Sequence, residues 1–243
     1  MSTKQVYRNG IWTLYESTTH ERVAPFAPIV FHEEFKGTTL VAGTTIWTAH
    51  HTETLGTPVY ANVADQHGGV FSLALDVTGE EQEAGLTWGD QLNFNLDKGF
   101  VIEFVAALHV LPTALAEVYF GVGGNYVAGE LAAADNGPLI HAAFMFDGSG
   151  ACTIHTDDGA TDNDAIATGV TVLVDAQHVF QIDFTTITDV LFFIDGVNVG
   201  SATTFDMSNG TNVVIQPYLN VYKSAGAGLG DLYVDSVRVW SKR

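Results

Sequence analysis

The sequence has few cysteines, prolines and basic residues, with one cysteine, six prolines and nine lysine or arginine side chains among 243 residues. A single cysteine, Cys152, excludes an internal disulfide and a cysteine-rich zinc module, so packing must supply the stability. No apolar run approaches the roughly 18 residues that a membrane helix needs, and the polar first ten residues lead into no apolar signal segment. We therefore expect no transmembrane segment, no signal peptide and synthesis in a cytoplasm.

Basic residues are almost missing from the middle of the chain. Residues 37–222 contain 22 acidic side chains and one basic side chain, Lys98, and the other eight basic residues lie in the two terminal segments. The net charge of the whole chain is −19. Because an acidic body repels a phosphate backbone, nucleic acid is excluded as a partner. The acidity serves either solubility alone or assembly.

Helical periodicity is nearly absent, and short alternating or continuous apolar runs separated by turn residues take its place. In residues 100–110 the alternation places Phe104 on one face and Glu103 on the other. Asp195-Gly196 between two apolar runs predicts a tight hairpin. The predicted fold is an all-β antiparallel β-sandwich. Its strands are predicted at 29–35, 69–77, 100–110, 117–122, 139–147, 151–156, 178–184, 189–194, 197–203, 212–222 and 231–240.

The first 28 residues have a different pattern. Aromatic and aliphatic side chains are followed by a polar stretch and then by Pro25 and Pro28, which interrupt a sheet ladder. We predict an N-terminal extended arm over residues 1–28, followed by the sandwich domain over 29–243. The arm packs on its own domain or docks on a neighbouring subunit. Its candidate assembly residues are Tyr7, Arg8, Ile11, Trp12, Leu14 and Tyr15.

Three segments resemble the concanavalin A-like lectin/glucanase family in its LamG-like, jelly-roll form. They are an opening strand followed by Trp47, a hairpin with an aspartate-glycine turn, and a closing strand, at 30–40, 190–200 and 232–240. The middle of the chain is similar to capsid decoration and head-fibre proteins of tailed bacteriophages, in the segments 68–73, 99–105 and 118–122. The resemblance implies a concanavalin A-like jelly roll for the sandwich domain.

The resemblance also implies a function. It indicates a non-enzymatic structural protein of the virion, a capsid decoration or cement protein that docks on the head surface after synthesis in the bacterial cytoplasm. Its partners would be the major capsid protein and sister copies, in a homo-oligomer such as a trimer. The alternative is a carbohydrate-binding, lectin-like module that adheres to host or environmental glycans.

Catalytic carboxylates are not found at the spacing that glycosidases of this fold use. Those enzymes place acids at alternate positions of one strand, and neither Glu-x-Asp-x-x-Glu nor Glu-x-Asp-x-Glu occurs. The acids of 81–83 and 162–164 are predicted to lie in loops. Glu103 and Glu117 are predicted to be solvated strand residues. The sequence therefore predicts that the chain is not an enzyme.

Two loop-like segments carry candidate ligand sites. One turn concentrates hard oxygen ligands and predicts either a calcium ion or a turn whose backbone these side chains satisfy, through Asp157, Asp158, Asp162 and Asp164. Trp88 and Tyr126 are candidate aromatics for stacking on a glycan, although most aromatics of a sandwich belong to its core. No cofactor other than calcium is predicted.

Overall fold

The computed structural model describes residues 3–8, 11–16, 22–26, 29–37, 40, 46–91, 93–113, 115–129, 140–210 and 213–241, and before residue 31 it describes the backbone alone. The two helices in these ranges are three-residue 3-10 turns, η1 (Leu96–Lys98) and η2 (Ser208–Gly210), so neither of them is long enough to span a membrane. The strands are β1 (Thr3–Arg8), β2 (Ile11–Glu16), β3 (Arg22–Phe26), β4 (Ile29–Glu33), β5 (Thr48–Thr52), β6 (Val59–Asn62), β7 (Phe71–Ala74), β8 (Gln82–Thr87), β9 (Phe94–Asn95), β10 (Phe100–Val110), β11 (Ala116–Gly123), β12 (His141–Phe146), β13 (Ala151–Asp157), β14 (Asp162–Thr171), β15 (His178–Asp183), β16 (Leu191–Ile194), β17 (Val197–Val199), β18 (Val214–Lys223) and β19 (Asp231–Ser241).

Two eight-stranded sheets form the sandwich. The front sheet has the order β14-β13-β12-β11-β18-β8-β5, with β9 paired to β18. The back sheet has the order β17-β16-β15-β10-β19-β7-β6, with β4 paired to β19. The central pairs, β11 with β18 and β10 with β19, are antiparallel. The predicted all-β antiparallel jelly-roll sandwich is therefore confirmed.

Phenylalanine side chains from both sheets fill the centre of the core. The ring of Phe120 on β11 lies 5.0 Å from the ring of Phe180 and 5.3 Å from that of Phe104, which belong to the back sheet. Phe144 and Phe146 on β12 surround it from the front sheet. Aromatic rings bury large apolar areas, so this cluster supplies the stability that a disulfide supplies in smaller sandwiches.

The strands predicted from sequence are present, with ends that differ by a few residues. The predicted hairpin turn is also present, because Asp195 has φ of 50° and Gly196 has φ of 75°. Eight further strands were not predicted: β1, β2, β3, β5, β6, β8, β9 and β14. Pro25, which was expected to interrupt a sheet ladder, lies within β3 and pairs with Thr13 of β2. The edge strand β14 pairs with β13 through two register shifts, so its side chains do not follow the simple alternation that the prediction required.

The N-terminal segment contains three strands that pair with one another. β1, β2 and β3 follow in this order in a separate three-stranded antiparallel sheet. The boundary at residue 28 and the docking role of this segment stay predictions. The six predicted assembly residues belong to β1 and β2, and their side chains lie outside the part of the chain that the structure describes: Tyr7, Arg8, Ile11, Trp12, Leu14 and Tyr15.

Asp231, at the start of β19, makes the stability of the back sheet depend on pH. Its carboxylate accepts a hydrogen bond from the Ser72 hydroxyl at 2.9 Å. Burial raises the pKa of Asp231 to about 6, although this hydrogen bond and the nearby His109 oppose the shift. Because the folded chain holds the proton more tightly than the unfolded chain, stability is greatest below about pH 4 and falls as the pH rises through about 6.

We therefore expect Asp231→Asn to raise the free energy of unfolding at pH 7 by about 2 kcal/mol, a figure reduced for the solvent screening of this partly exposed carboxyl, and to leave it unchanged below about pH 4. Asparagine keeps an acceptor for Ser72 and removes the buried charge. Urea denaturation at the two pH values measures the effect, and Asp189→Asn on an exposed aspartate is the control. An equal change at both pH values would show that the charge of Asp231 does not matter.

Candidate functional site

Alternation along β18 separates core side chains from a row of polar and aromatic ones. Leu219 and Val221 belong to the core of the sandwich. Tyr218, Asn220 and Tyr222 therefore point to the outer face of the front sheet. All three are buried nonetheless, and Asn220 has no exposed surface. A buried polar row on the outside of a sheet indicates that something covers it.

The strands on both sides of β18 complete this row. Asn220 lies opposite Tyr119 on β11, and Tyr222 lies opposite Glu83 on β8. Tyr119 and Glu83 flank inward core residues, so they share the outer face with β18. We call this group the tyrosine face, and its members are Glu83, Tyr119, Tyr218, Asn220 and Tyr222.

Asn220 connects the acid of the tyrosine face to a phenol. Its Nδ2 donates to Glu83 Oε1 at 2.6 Å and to the Tyr119 oxygen at 2.7 Å. Gly85, its neighbour on β8, gives it room, since a Cβ at that position would lie 3.2 Å from Asn220 Oδ1. The amide is therefore fixed between its two partners.

Glu83 is fully buried at the centre of the tyrosine face. Its Oε2 accepts hydrogen bonds from the Tyr126 hydroxyl at 2.5 Å and from the Thr52 hydroxyl at 3.4 Å. Burial raises the pKa of Glu83, the hydrogen bonds act in the opposite direction, and repulsion from Glu81 adds to the increase. Glu83 thus combines a carboxylate with three donors and a tendency to hold a proton.

The chain itself lies over the tyrosine face. We call residues 124–129, which follow β11, the covering segment. The Tyr119 hydroxyl donates to the Gly129 carbonyl at 2.9 Å, and the Tyr218 hydroxyl donates to the Val127 carbonyl at 2.7 Å. The Tyr126 amide donates to Asp90 Oδ1 at 2.7 Å. The tyrosines of the sheet therefore hold the segment through its backbone.

Tyr126 is inserted between the covering segment and the sheet. Its ring stacks on the imidazole of His50, with centroids 3.6 Å apart and planes 12° apart. The ring of Tyr218 also lies near Tyr126, with the two ring centroids 6.1 Å apart. His50 Nε2 lies 2.7 Å from the Thr87 hydroxyl, and burial lowers the pKa of this histidine. A neutral imidazole thus forms one wall beside Tyr126.

Two further acids border the tyrosine face. The Tyr222 hydroxyl donates to Glu81 Oε1 at 3.1 Å. Glu117 lies opposite Tyr222 on β11, next to the inward-facing Val118, and so shares the outer face. With Glu83 at its centre, this surface is acidic and disfavours anionic ligands.

The sequence-based placement of acidic residues was wrong in three respects. Asp162 and Asp164, which were predicted to lie in a loop, belong to the edge strand β14. Glu83 lies in the central part of the front sheet, in β8, and not in a loop. Glu103 is fully buried instead of solvated, and it contacts Gln181 and lies 3.4 Å from Arg238 Nη1. The signal that was available is the alternation of Ala84 and Leu86 with polar residues, which is typical of a strand with one polar face.

The two predicted glycan aromatics have different positions. Trp88 is 3% exposed, and its ring lies 4.9 Å from Phe31 and 6.0 Å from Trp47 within the core. The expectation of an exposed Trp88 was wrong, because it continues the inward positions of β8 occupied by Ala84 and Leu86. Tyr126 does lie on the outer face, against Glu83.

Two of the four aspartates of the predicted calcium turn, Asp157 and Asp158, accept hydrogen bonds from backbone amides. Asp158 is 3% exposed and accepts hydrogen bonds from the amides of Thr161 at 2.7 Å and Asn209 at 2.9 Å. Asp157 accepts from the Gly159 amide, and Asp164 lies 3.2 Å from His155. Asp162 is the first residue of β14. Within the described ranges no group of three or more metal-ligating side chains is assembled. The geometry is that of a turn built on aspartates.

Comparison with known proteins places the fold but not a family. No family model and no curated protein matches the chain. Among solved structures, the Emp46p carbohydrate recognition domain in its potassium-bound form is 10% identical, covers 82% of this chain and 89% of its own, and has a TM-score of 0.51. The Bacteroides ovatus mixed linkage glucan GH16 in complex with its G4G4G3G product is 15% identical, covers 86% and 99%, and has a TM-score of 0.56. Alginate lyase AlgAT5 is 10% identical, covers 75% and 82%, and has a TM-score of 0.50.

These similarities establish the concanavalin A-like jelly roll that the sequence resemblance implied, and at such low identity they establish the fold alone. They also overturn the expectation that the chain is not an enzyme, because a glycoside hydrolase and a lyase share the fold. Enzyme activity is thereby suggested at the level of the fold. None of the three is described as a virion protein, so the capsid role stays a prediction.

Proposed function

We propose that this chain is a carbohydrate-binding domain whose ligand occupies the tyrosine face. The observation that carries the proposal is the assembly of three tyrosines, an asparagine and a buried glutamate on one outer face of the front sheet. Aromatic rings stack on the apolar faces of sugars, and amide and carboxylate groups bind their hydroxyls. The carbohydrate recognition domain among the structural neighbours supports the same function.

The charge of the site favours a neutral glycan. Glu81, Glu83 and Glu117 border or fill the tyrosine face, and Lys98 is the only basic residue in the whole segment 37–222. Polyanionic chains such as alginate would be repelled by this surface. A neutral β-glucan meets no such repulsion, and hydrogen-bond acceptors are what its hydroxyls require.

We expect the purified chain to be retarded in native gels containing mixed-linkage β-glucan and to migrate unchanged in gels containing alginate. Asn220→Ala should reduce the retardation by about tenfold in apparent affinity, because it removes the amide that connects Glu83 to Tyr119. Asn198→Ala, on the exposed edge strand β17 of the back sheet, is the matched control. Retardation by alginate, or equal behaviour of the two variants, would contradict the proposal.

Cleavage of the glycan is the second candidate function. Glu83 has the burial and the raised pKa that a general acid requires. Glu81 lies two residues earlier and accepts a hydrogen bond from Tyr222. Glycosidases use such a pair of carboxylates on both sides of the scissile bond. Reducing ends released from the same β-glucan would separate cleavage from binding alone.

The virion role predicted from sequence is a third proposal, and it is compatible with carbohydrate binding. A decoration protein that docks on the major capsid protein and on sister copies would display the tyrosine face as an adhesion site. Its support is the sequence resemblance alone. Co-sedimentation with purified heads would test it.

A further inference from the structure

We propose that Tyr126 occupies the position of a ligand sugar ring, so that the covering segment must move aside before a glycan binds. This inference rests on the proposed carbohydrate-binding function and adds its regulation. In this inference Tyr126 does not stack on the ligand. Its side chain competes with the ligand for the tyrosine face.

The contacts of Tyr126 are those expected of a bound sugar. Its ring stacks flat on His50 at 3.6 Å, and stacking on an aromatic ring is how pyranose rings bind proteins. Its hydroxyl donates to Glu83 Oε2 at 2.5 Å, in the place where a sugar hydroxyl would donate. The Tyr126 side chain therefore makes both the stacking contact with His50 and the hydrogen bond with Glu83 that a bound sugar would make.

The remaining attachments of the covering segment are hydrogen bonds that water or sugar hydroxyls can replace. Tyr119 and Tyr218 donate to its carbonyls, and Asp90 accepts from its amide. At its first residue, Gly124, the amide donates to the Ile140 carbonyl and the carbonyl accepts from the Gln216 side-chain amide. Apart from the ring of Tyr126, which packs against the tyrosine face, little apolar surface holds it. Val127 is 41% exposed, and Asn125 and Ala128 are also exposed. A segment held mainly by exchangeable polar contacts opens at lower free energy than a segment packed in a core.

Displacement of Tyr126 would free two groups at once. Glu83 Oε2 would lose its shortest hydrogen bond, and the ring face of His50 would become available for stacking. Since only the open fraction of the protein binds, the apparent affinity is reduced by that fraction. Removing the Tyr126 side chain should therefore strengthen binding.

We expect Tyr126→Ala to bind mixed-linkage β-glucan about tenfold more tightly than the wild-type chain, measured by isothermal titration calorimetry. Tyr126→Phe, which lacks only the hydroxyl, should give a smaller gain. Tyr60→Ala is the matched control, because Tyr60 also stacks on a histidine, His51, but at the edge of the back sheet. Weaker or unchanged binding by Tyr126→Ala would overturn the inference, and weaker binding would make Tyr126 a platform for the ligand.

Hydrogen exchange tests the covering segment without any ligand. We expect the amide of Tyr126 to exchange through a local opening, faster than the β11 amides in the centre of the front sheet and at a rate insensitive to low denaturant. Exchange of this amide only by global unfolding would overturn the inference. If the wild-type chain and Tyr126→Ala both fail to bind β-glucan or other neutral glycans, the proposed function fails, and the exchange result alone decides whether the segment opens.

Discussion

Replacing Glu83 with alanine should reduce the affinity for mixed-linkage β-glucan by about 30-fold, because hydrogen bonds to a buried carboxylate are among the strongest that a sugar hydroxyl can make. The same substitution removes the acceptor for Asn220 and leaves the amide without its anchor. Binding should also weaken as the pH is lowered, and at a higher pH than for an ordinary glutamate, since burial raises the pKa of Glu83. Calorimetric titrations at several pH values measure both effects.

Two controls separate this result from a folding defect. Glu53→Ala changes an exposed acid just beyond β5 in the same sheet and should leave the affinity unchanged. Thermal unfolding of Glu83→Ala shows whether the sandwich is intact. An intact variant that binds β-glucan like the wild type would exclude Glu83 from the site and would remove the main support for the tyrosine face.

The second large effect concerns Lys223, which we expect to stabilise one end of the sandwich by about 3 kcal/mol through hydrogen bonds of its ammonium group. This side chain ends β18 with no exposed surface, and it donates to the carbonyls of Asp76 at 2.6 Å, Thr78 at 2.8 Å and Gly228 at 3.2 Å. It thereby joins the β7–β8 connection to the β18–β19 connection. Burial lowers the pKa of Lys223, and nearby Asp76 and Glu80 oppose the shift.

Lys223→Met keeps the length of the side chain and removes the donors, so three carbonyls lose a partner. We expect the free energy of unfolding in urea to fall by about 3 kcal/mol at neutral pH. Lys98→Met, on an exposed lysine of η1, is the control and should change it by less than about 0.5 kcal/mol. A similar small change in both variants would show that the carbonyls find other partners.

Much of the architecture was predictable because its strands alternate strongly. β10 and β15 carry apolar residues at every second position. The turn residues Asp195-Gly196 alone indicate the hairpin between β16 and β17. β8 carries only Ala84 and Leu86 on its inner face, so its apolar signal is weak. Apolar periodicity detects only the side of a strand that faces the core. The outward side of β8 carries Glu83 of the candidate site, and periodicity does not detect it.

The site was less predictable than the fold for the same physical reason. Glu83 is buried by residues far away in sequence, including Tyr126, and sequence spacing does not reveal such a contact. Trp88 and Tyr126 both follow strands and have similar polar neighbours in the chain, yet Trp88 lies in the core and Tyr126 on the outer face. The side of the sheet on which each falls depends on the register of β8 and on the path of the covering segment.

The irregular edge strand β14 is a poor template for pairing with another copy of the chain. A straight exposed edge of ten residues would offer its backbone to another copy and begin a growing stack of strands. Here Ala165 has φ of 51° and Gly169 has φ of 75°, and the register shifts against β13 accompany these two kinks. Asp162 and Asp164 add negative charge along the same edge. Edge-to-edge pairing through β14 is therefore opposed by both the shape and the charge of this edge.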